Sequence, residues 1–211
     1  MITAHSGSDG YQDNSLEFIE AMLNSHVQAL EVDVHVAKDG TLYLAHDALE
    51  DSSQAVTLEA CYRTLRVSDK LLNVDCKSPD AGPKALSIAK DMGVYDQVVL
   101  SGALPLESYS DQDCGHLFYN LENSVSEIDL GGDALNLILA DLSQRGVRVV
   151  QTYHGLASQD LVDRLLQAGL KLSVWTVNDF DLINRYLDLG CYNVTSRQAL
   201  AYLHHRDKGP V

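Results

Sequence analysis

A parallel (β/α)8 barrel is the fold class the sequence predicts, on three observations: the length, a repeated helix, glycine and strand order, and the number of strand-like runs. The chain has 211 residues, close to the lower limit of roughly 200 for such a barrel. Four segments share one order: an amphipathic run, a glycine where a left-handed C-terminal cap is wanted, then a short β-branched run. Asp133 to Arg145 places Leu135, Ile138, Leu139 and Leu142 at helical spacing, followed by Gly146 and Val147-Arg148-Val149-Val150. The order recurs at Pro83 to Met92 with Gly93, at Ser158 to Ala168 with Gly169, and at Asp179 to Leu189 with Gly190. Alternation this regular means parallel βα units. An open doubly wound sheet has the same alternation, and eight units in so short a chain favour the closed barrel.

Barrel strands are read near 2–5, 29–36, 71–77, 97–101, 116–120, 147–152, 171–177 and 192–196. The first leads through His5-Ser6-Gly7 to a helix that Asn14 can cap, with Glu17 at N3 and Leu16, Ile19 and Leu23 on one face. The second is followed by Asp39-Gly40, a hairpin signal, so Thr41 to Ala45 is an added antiparallel strand outside the barrel count. The 23 residues between Asp47 and Leu71 leave room for only a small, open cap over the mouth. Residues 1–211 are expected to form one barrel domain, with Arg206 to Val211 as a frayed tail.

With 45% hydrophobic and 21% charged residues the chain is globular and buries a core. Its 15 Lys+Arg against 30 Asp+Glu give a net charge of −15, a field that repels nucleic acid and anionic membrane surfaces. An anionic substrate needs a local reversal, by a metal ion or converging cations. Cys61, Cys76, Cys114 and Cys191 form no CxxC pair, which points to reduced, buried thiols. The first residues lack a basic and apolar leader, and no apolar run approaches the roughly 18 residues of a membrane span. A cytoplasmic location follows as the expectation, and nothing in the chain points to an oligomeric state.

In a parallel barrel chemistry sits where strands end at the C-terminal mouth, so polar residues late in apolar strands are the candidates. His5 ends the first strand, Glu31 and Asp33 interrupt the second, and Asp75 and Lys77 the third. Alternation puts Glu31 and Asp33 on one face, and Asp75 and Lys77 on one face. A two-residue hairpin loop would set His46 opposite Asp33, and a four-residue loop opposite Glu31; an odd loop or a bulge would turn it away. Three carboxylates suit a hard cation, Mg²⁺ or Ca²⁺. Two histidines beside it can serve as base and acid, with Lys77 where a phosphate would sit. The competing reading is an interior ion-pair network of Glu31, Asp33, Asp75 and Lys77 with two surface histidines.

Taken together, His5-Ser6-Gly7, Asp13-Asn14-Ser15, Glu31-Val32-Asp33, Lys38-Asp39-Gly40, His46-Asp47, Val74-Asp75-Cys76-Lys77 and Val174-Trp175-Thr176-Val177-Asn178 resemble the motif series of the glycerophosphodiester phosphodiesterase family. The resemblance implies a barrel that hydrolyses a small phosphodiester to an alcohol and a phosphomonoester. It implies a divalent metal on Glu31, Asp33 and Asp75, with His5 and His46 as the acid and base. Trp175 would be a platform for the substrate's polyol or headgroup. Two departures stand out: the family's phosphate-holding arginine is Ser6 here, and its third carboxylate is the shorter Asp75. Both are similar to the sphingomyelinase D branch of the same superfamily. A lyase releasing a cyclic phosphate, and a catalytically silent phosphodiester- or partner-binding barrel, are the alternatives. His26, His35, His116 and His154 match no role, and Asp13 aligns with a family carboxylate or simply favours the helix start.

Overall fold

The computed structural model describes residues 1–124 and 132–208. The strands are β1 (Ile2–Ala4), β2 (Ala29–Val36), β3 (Leu42–Leu44), β4 (Leu71–Cys76), β5 (Val98–Gly102), β6 (Phe118–Asn120), β7 (Val149–Tyr153), β8 (Lys171–Trp175) and β9 (Asn193–Ser196). Pairing runs β5-β4-β2-β1-β9-β8-β7-β6, all parallel. A bridge between Leu100 and Leu117 joins the two ends into a nearly closed (β/α)8 barrel. β3 pairs antiparallel with β2 outside this circuit. The helices are α1 (Leu16–Leu23), α2 (Leu58–Leu65), α3 (Ala81–Met92), α4 (Asp111–Cys114), α5 (Asp133–Gln144), α6 (Gln159–Gln167), α7 (Phe180–Asp188) and α8 (Ala199–Asp207).

The apolar core lies between barrel and helices. Leu30, Val32, Val34, Leu72 and Val74 are buried there with Phe18, Ile19 and Met22 of α1. Strand alternation sends their neighbours Glu31, Asp33, Asn73 and Asp75 into the lumen. Cys61, Cys76, Cys114 and Cys191 are free and buried, as their spacing predicts.

Four expectations are corrected. The N-cap of α1 is Ser15, whose Oγ accepts from Phe18 N–H at 3.1 Å, so Asn14 is free for another task. The hairpin loop has three residues, Lys38-Asp39-Gly40, because Ala37 N–H donates to the Thr41 carbonyl and Val34 pairs with Leu44. Gly40 closes it at φ 89, the left-handed position of a three-residue hairpin. That register would aim residue 46 away from the carboxylates. The segment read as a cap carries α2, whose Leu58, Cys61, Tyr62 and Leu65 are buried in the core. Finally, α8 extends through Asp207 with His204 and His205 exposed; the last part of the proposed tail, 209–211, lies outside the described residues.

Gly93 and Gly146 both follow helices at positive φ, 72 and 93. A Cβ at Gly93 would meet open space, whereas at Gly146 it would come 2.7 Å from the Asp111 carbonyl oxygen. Gly93→Ala should therefore cost only the left-handed strain, about 1–2 kcal/mol. Gly146→Ala should cost clearly more, because backbone has to move; equal losses in urea unfolding would refute the packing argument.

Candidate active site

Parallel register builds the site in rows. Asp33 of β2 is the register partner of Asp75 of β4, which is the partner of Ser101 of β5. Glu31 and Asn73 form the next row down. Oxygen atoms of Glu31, Asp33 and Asp75 lie within 4.8 Å of one another. With His5, His46 and Lys77 they line a pocket of about 410 Å³ at the C-terminal mouth, and Trp175 lines it from β8. Every candidate residue read from the sequence thus borders one cavity.

His46 arrives by a route that strand parity does not describe. β3 stops at Leu44, and the chain leaves the ladder after Ala45 N–H donates to the Asp33 carbonyl at 3.2 Å. His35 Nε2 donates to the His46 carbonyl at 3.2 Å while its ring stacks on Tyr43, so a histidine without a matched role steadies this segment. The His46 side chain is 62% exposed and Nδ1 donates to Asp47 at 3.0 Å. His5 is more enclosed, and Nδ1 donates to the Ser6 carbonyl at 3.0 Å. A carbonyl only accepts, so His5 Nδ1 carries the proton and neutral Nε2 keeps its lone pair. Burial holds the His5 imidazole below its ordinary pKa.

The carboxylates are held by groups from three places: the loop after β1, the end of β4 and β5. Lys77 Nζ lies 2.6 Å from Asp33 Oδ1 and 2.5 Å from Asp75 Oδ2. Burial would lower this ammonium's pKa, but Asp75 and Asp33 hold it above the usual lysine value. Ser6 N–H donates to Glu31 Oε2 at 2.9 Å, and Ser101 Oγ to Asp75 at 3.0 Å. Asn14, at φ 58, donates Nδ2 to Asp33 Oδ2 and accepts the Asp33 N–H, both at 2.9 Å. Sequence reading missed Asn14, Ser6 and Ser101 as supports; an asparagine just after an Asp in a loop was legible only as a cap.

On the opposite side, the residues of β6 to β8 that line the pocket are neutral. Gln151 Nε2 donates to Asn120 Oδ1 at 2.5 Å across β7 and β6, and both residues line the pocket with Trp175. The Trp175 Nε1–H is buried without a partner among the described residues. His154 does not line the pocket: its Nδ1 lies 3.2 Å from the Tyr186 hydroxyl. Asp13 pairs with Arg197 rather than with the start of α1.

The donor set fits a hard divalent cation. Three carboxylates converge, and the Asn73 Oδ1 acceptor in the adjoining row is buried without a partner among the described residues. Burial, reinforced by Asp33 and Asp75, pushes the Glu31 carboxyl well above the usual carboxylate range, so one lysine leaves the cluster short of positive charge.

A raised carboxylate pKa destabilises the fold once the group must ionise. In chelator, wild-type stability should fall as pH rises from about 4.3, the unfolded glutamate value, through the folded value. Glu31→Gln should lack that loss and so be the more stable protein at pH 7. Parallel urea-unfolding profiles for the two proteins between pH 4 and 8 would contradict it.

No family model matches the chain, and no curated protein sequence does. Solved structures do. A glycerophosphodiester phosphodiesterase from Parabacteroides distasonis superposes with a TM-score of 0.74 at 18% identity, covering 98% of this chain and 97% of that one. One from Thermotoga maritima gives 0.71 at 16%, covering 97% of each chain. An Oleispira antarctica phosphodiesterase, in complex with the product sn-glycerol-3-phosphate, gives 0.75 at 18%, covering 98% and 96%. Over nearly its whole length, this chain has the (β/α)8 barrel fold of the glycerophosphodiester phosphodiesterases.

Proposed function

We propose that this barrel is a metal-dependent phosphodiesterase that hydrolyses glycerophosphodiester-like small molecules to an alcohol and a phosphomonoester of the sn-glycerol 3-phosphate type. The observation that carries this reading is one mouth that gathers three carboxylates, Lys77 and two histidines against a neutral amide and indole wall. The fold supports it, since neighbours with this barrel are phosphodiesterases and one holds sn-glycerol-3-phosphate as product.

Glu31, Asp33 and Asp75 would hold Mg²⁺ or Ca²⁺. Such an ion, when bound, neutralises charge on the phosphate oxygens. Lys77 adds fixed positive charge on the same side. His5 Nε2 has a lone pair and an imidazole kept neutral by burial, which suits a base. His46 is open to solvent with Nδ1–H given to Asp47, which suits the acid that protonates the departing alcohol. Trp175 would pack against the polyol, and the Asn120 and Gln151 amides would meet its hydroxyls. The mouth pairs no serine or cysteine nucleophile with either histidine among the described residues, so the nucleophile comes from substrate or water. A glycerol hydroxyl beside the phosphoester is already tethered, an advantage of roughly 7 to 11 kcal/mol. Attack by that hydroxyl gives a cyclic phosphate, which water then opens.

The test is a screen of glycerophosphodiesters with Mg²⁺ or Ca²⁺ and ³¹P NMR of the products. Chelator should abolish turnover, and added metal should restore it and raise the melting temperature. His5→Ala and His46→Ala should each lose about 10² to 10⁴ in turnover with the fold intact. Full activity in chelator, or wild-type turnover by His46→Ala, would sink the assignment. A second test addresses the order of steps. A diester whose neighbouring hydroxyl is methylated should turn over at least about a hundredfold more slowly. Equal rates with no cyclic species would mean direct attack by water, and a cyclic phosphate as final product would make the protein a lyase.

A further inference from the structure

Ser6 stands where the resembling family carries its phosphate-holding arginine, and the structure closes that position to any cation. Its side chain is fully buried, with Oγ accepting the Asn14 N–H at 2.8 Å and its own N–H given to Glu31. The cation at this corner comes from the other end of the chain. β9 pairs with β1, Ser196 is the register partner of Ala4, and His5 N–H donates to the Ser196 carbonyl at 2.9 Å. Arg197, the next residue, therefore emerges beside the His5 turn, about one strand spacing of 4.8 Å away.

Its guanidinium makes a two-pronged pair with Asp13, Nη1 to Oδ1 at 3.1 Å and Nη2 to Oδ2 at 3.0 Å. Asp13 is lodged against the same turn, since a Cβ at Gly7 would come within 1.7 Å of its Oδ1. The two side chains remain 39% and 41% exposed, so water and solutes reach them. Arg197 interacts electrostatically with His5, Glu31 and Asp33, and Asp13 with His5 and His46. The pair thus sits within the field of the candidate centre. Lys77 is already committed to two carboxylates.

A guanidinium fork fits a phosphate as it fits a carboxylate, and an exposed pair is weak enough to exchange. We propose that Arg197 is the phosphate-binding cation at the rim of this site, covered by Asp13 until the phosphate of a substrate or product takes the carboxylate's place. The assignment rests on the phosphodiesterase reading above. It also explains how a chain of net charge −15 presents local positive charge to an anion without an arginine at position 6.

The experiment titrates sn-glycerol 3-phosphate into the full chain with Mg²⁺ by calorimetry, beside kcat and KM for a glycerophosphodiester. Arg197→Gln should weaken binding roughly tenfold to a hundredfold and raise KM more than it lowers kcat. Arg197→Lys should recover part of the loss, since charge returns without the fork. Asp13→Asn uncovers the guanidinium and should tighten binding by a few-fold. Unchanged binding by Arg197→Gln in a protein that melts like wild type would overturn the assignment while a turning-over wild type kept the phosphodiesterase reading. Asp13→Asn weakening as much as Arg197→Gln would also overturn it, by making the pair a brace for the His5 turn. A wild type that neither binds sn-glycerol 3-phosphate nor hydrolyses any diester would overturn both readings.

Discussion

Setting Asp33 beside Asp75 across two parallel strands is the constraint on which the rest of the mouth depends. Their register pairing is a backbone property, and it forces like charges together where water is scarce. Such an arrangement persists only if donors and cations meet each oxygen. Lys77, the residue just past the end of β4, bridges both carboxylates, and the backbone N–H of Ser6 meets Glu31. What remains short of positive charge is Glu31, and that shortage is the physical case for a cation.

The supports come from loops that would otherwise be unremarkable connections. Asn14 leaves capping to Ser15 and spends both ends of its amide on Asp33, tying the first loop to the second strand. Ser6 links the same loop back to itself through Asn14 N–H. His35 and Tyr43 do comparable work for the His46 segment, by a hydrogen bond and a stacked ring. Rigid strands carry the carboxylates, while loops tied down by side-chain amides and hydroxyls carry the histidines.

Barrel closure makes the two halves of the mouth chemically unlike and brings distant residues together. Among the residues lining the pocket, the carboxylates and Lys77 come from β2 and the end of β4, and the facing wall on β6 to β8 presents Asn120, Gln151 and Trp175. Neutral hydrogen bonding continues beneath it, where Thr3 donates to Asn193 and Asn193 to Ser173. Pairing of β9 with β1 joins the start of the chain to its end. Asp9 receives the Leu200 and Ala201 N–H groups of α8, and the same junction sets Arg197 on Asp13.

The sequence by itself determined the parallel alternation: the eight strands, the added antiparallel strand and the four glycine-capped helices are local signals, set by periodicity and turn chemistry, whereas closure into a barrel was only favoured over an open sheet. It also determined which carboxylates share a face, because strand alternation needs no tertiary information. His46 was set on the carboxylate face by a register that does not exist and reaches the pocket by another path, since a three-residue and a two-residue hairpin differ by one backbone conformation that Asp39-Gly40 permits either way. Asn14, Ser101 and Arg197 were decided only by tertiary structure. Their partners lie 19, 26 and 184 residues away, and contacts at that range arise from strand order and closure, which leave no periodic trace in the chain.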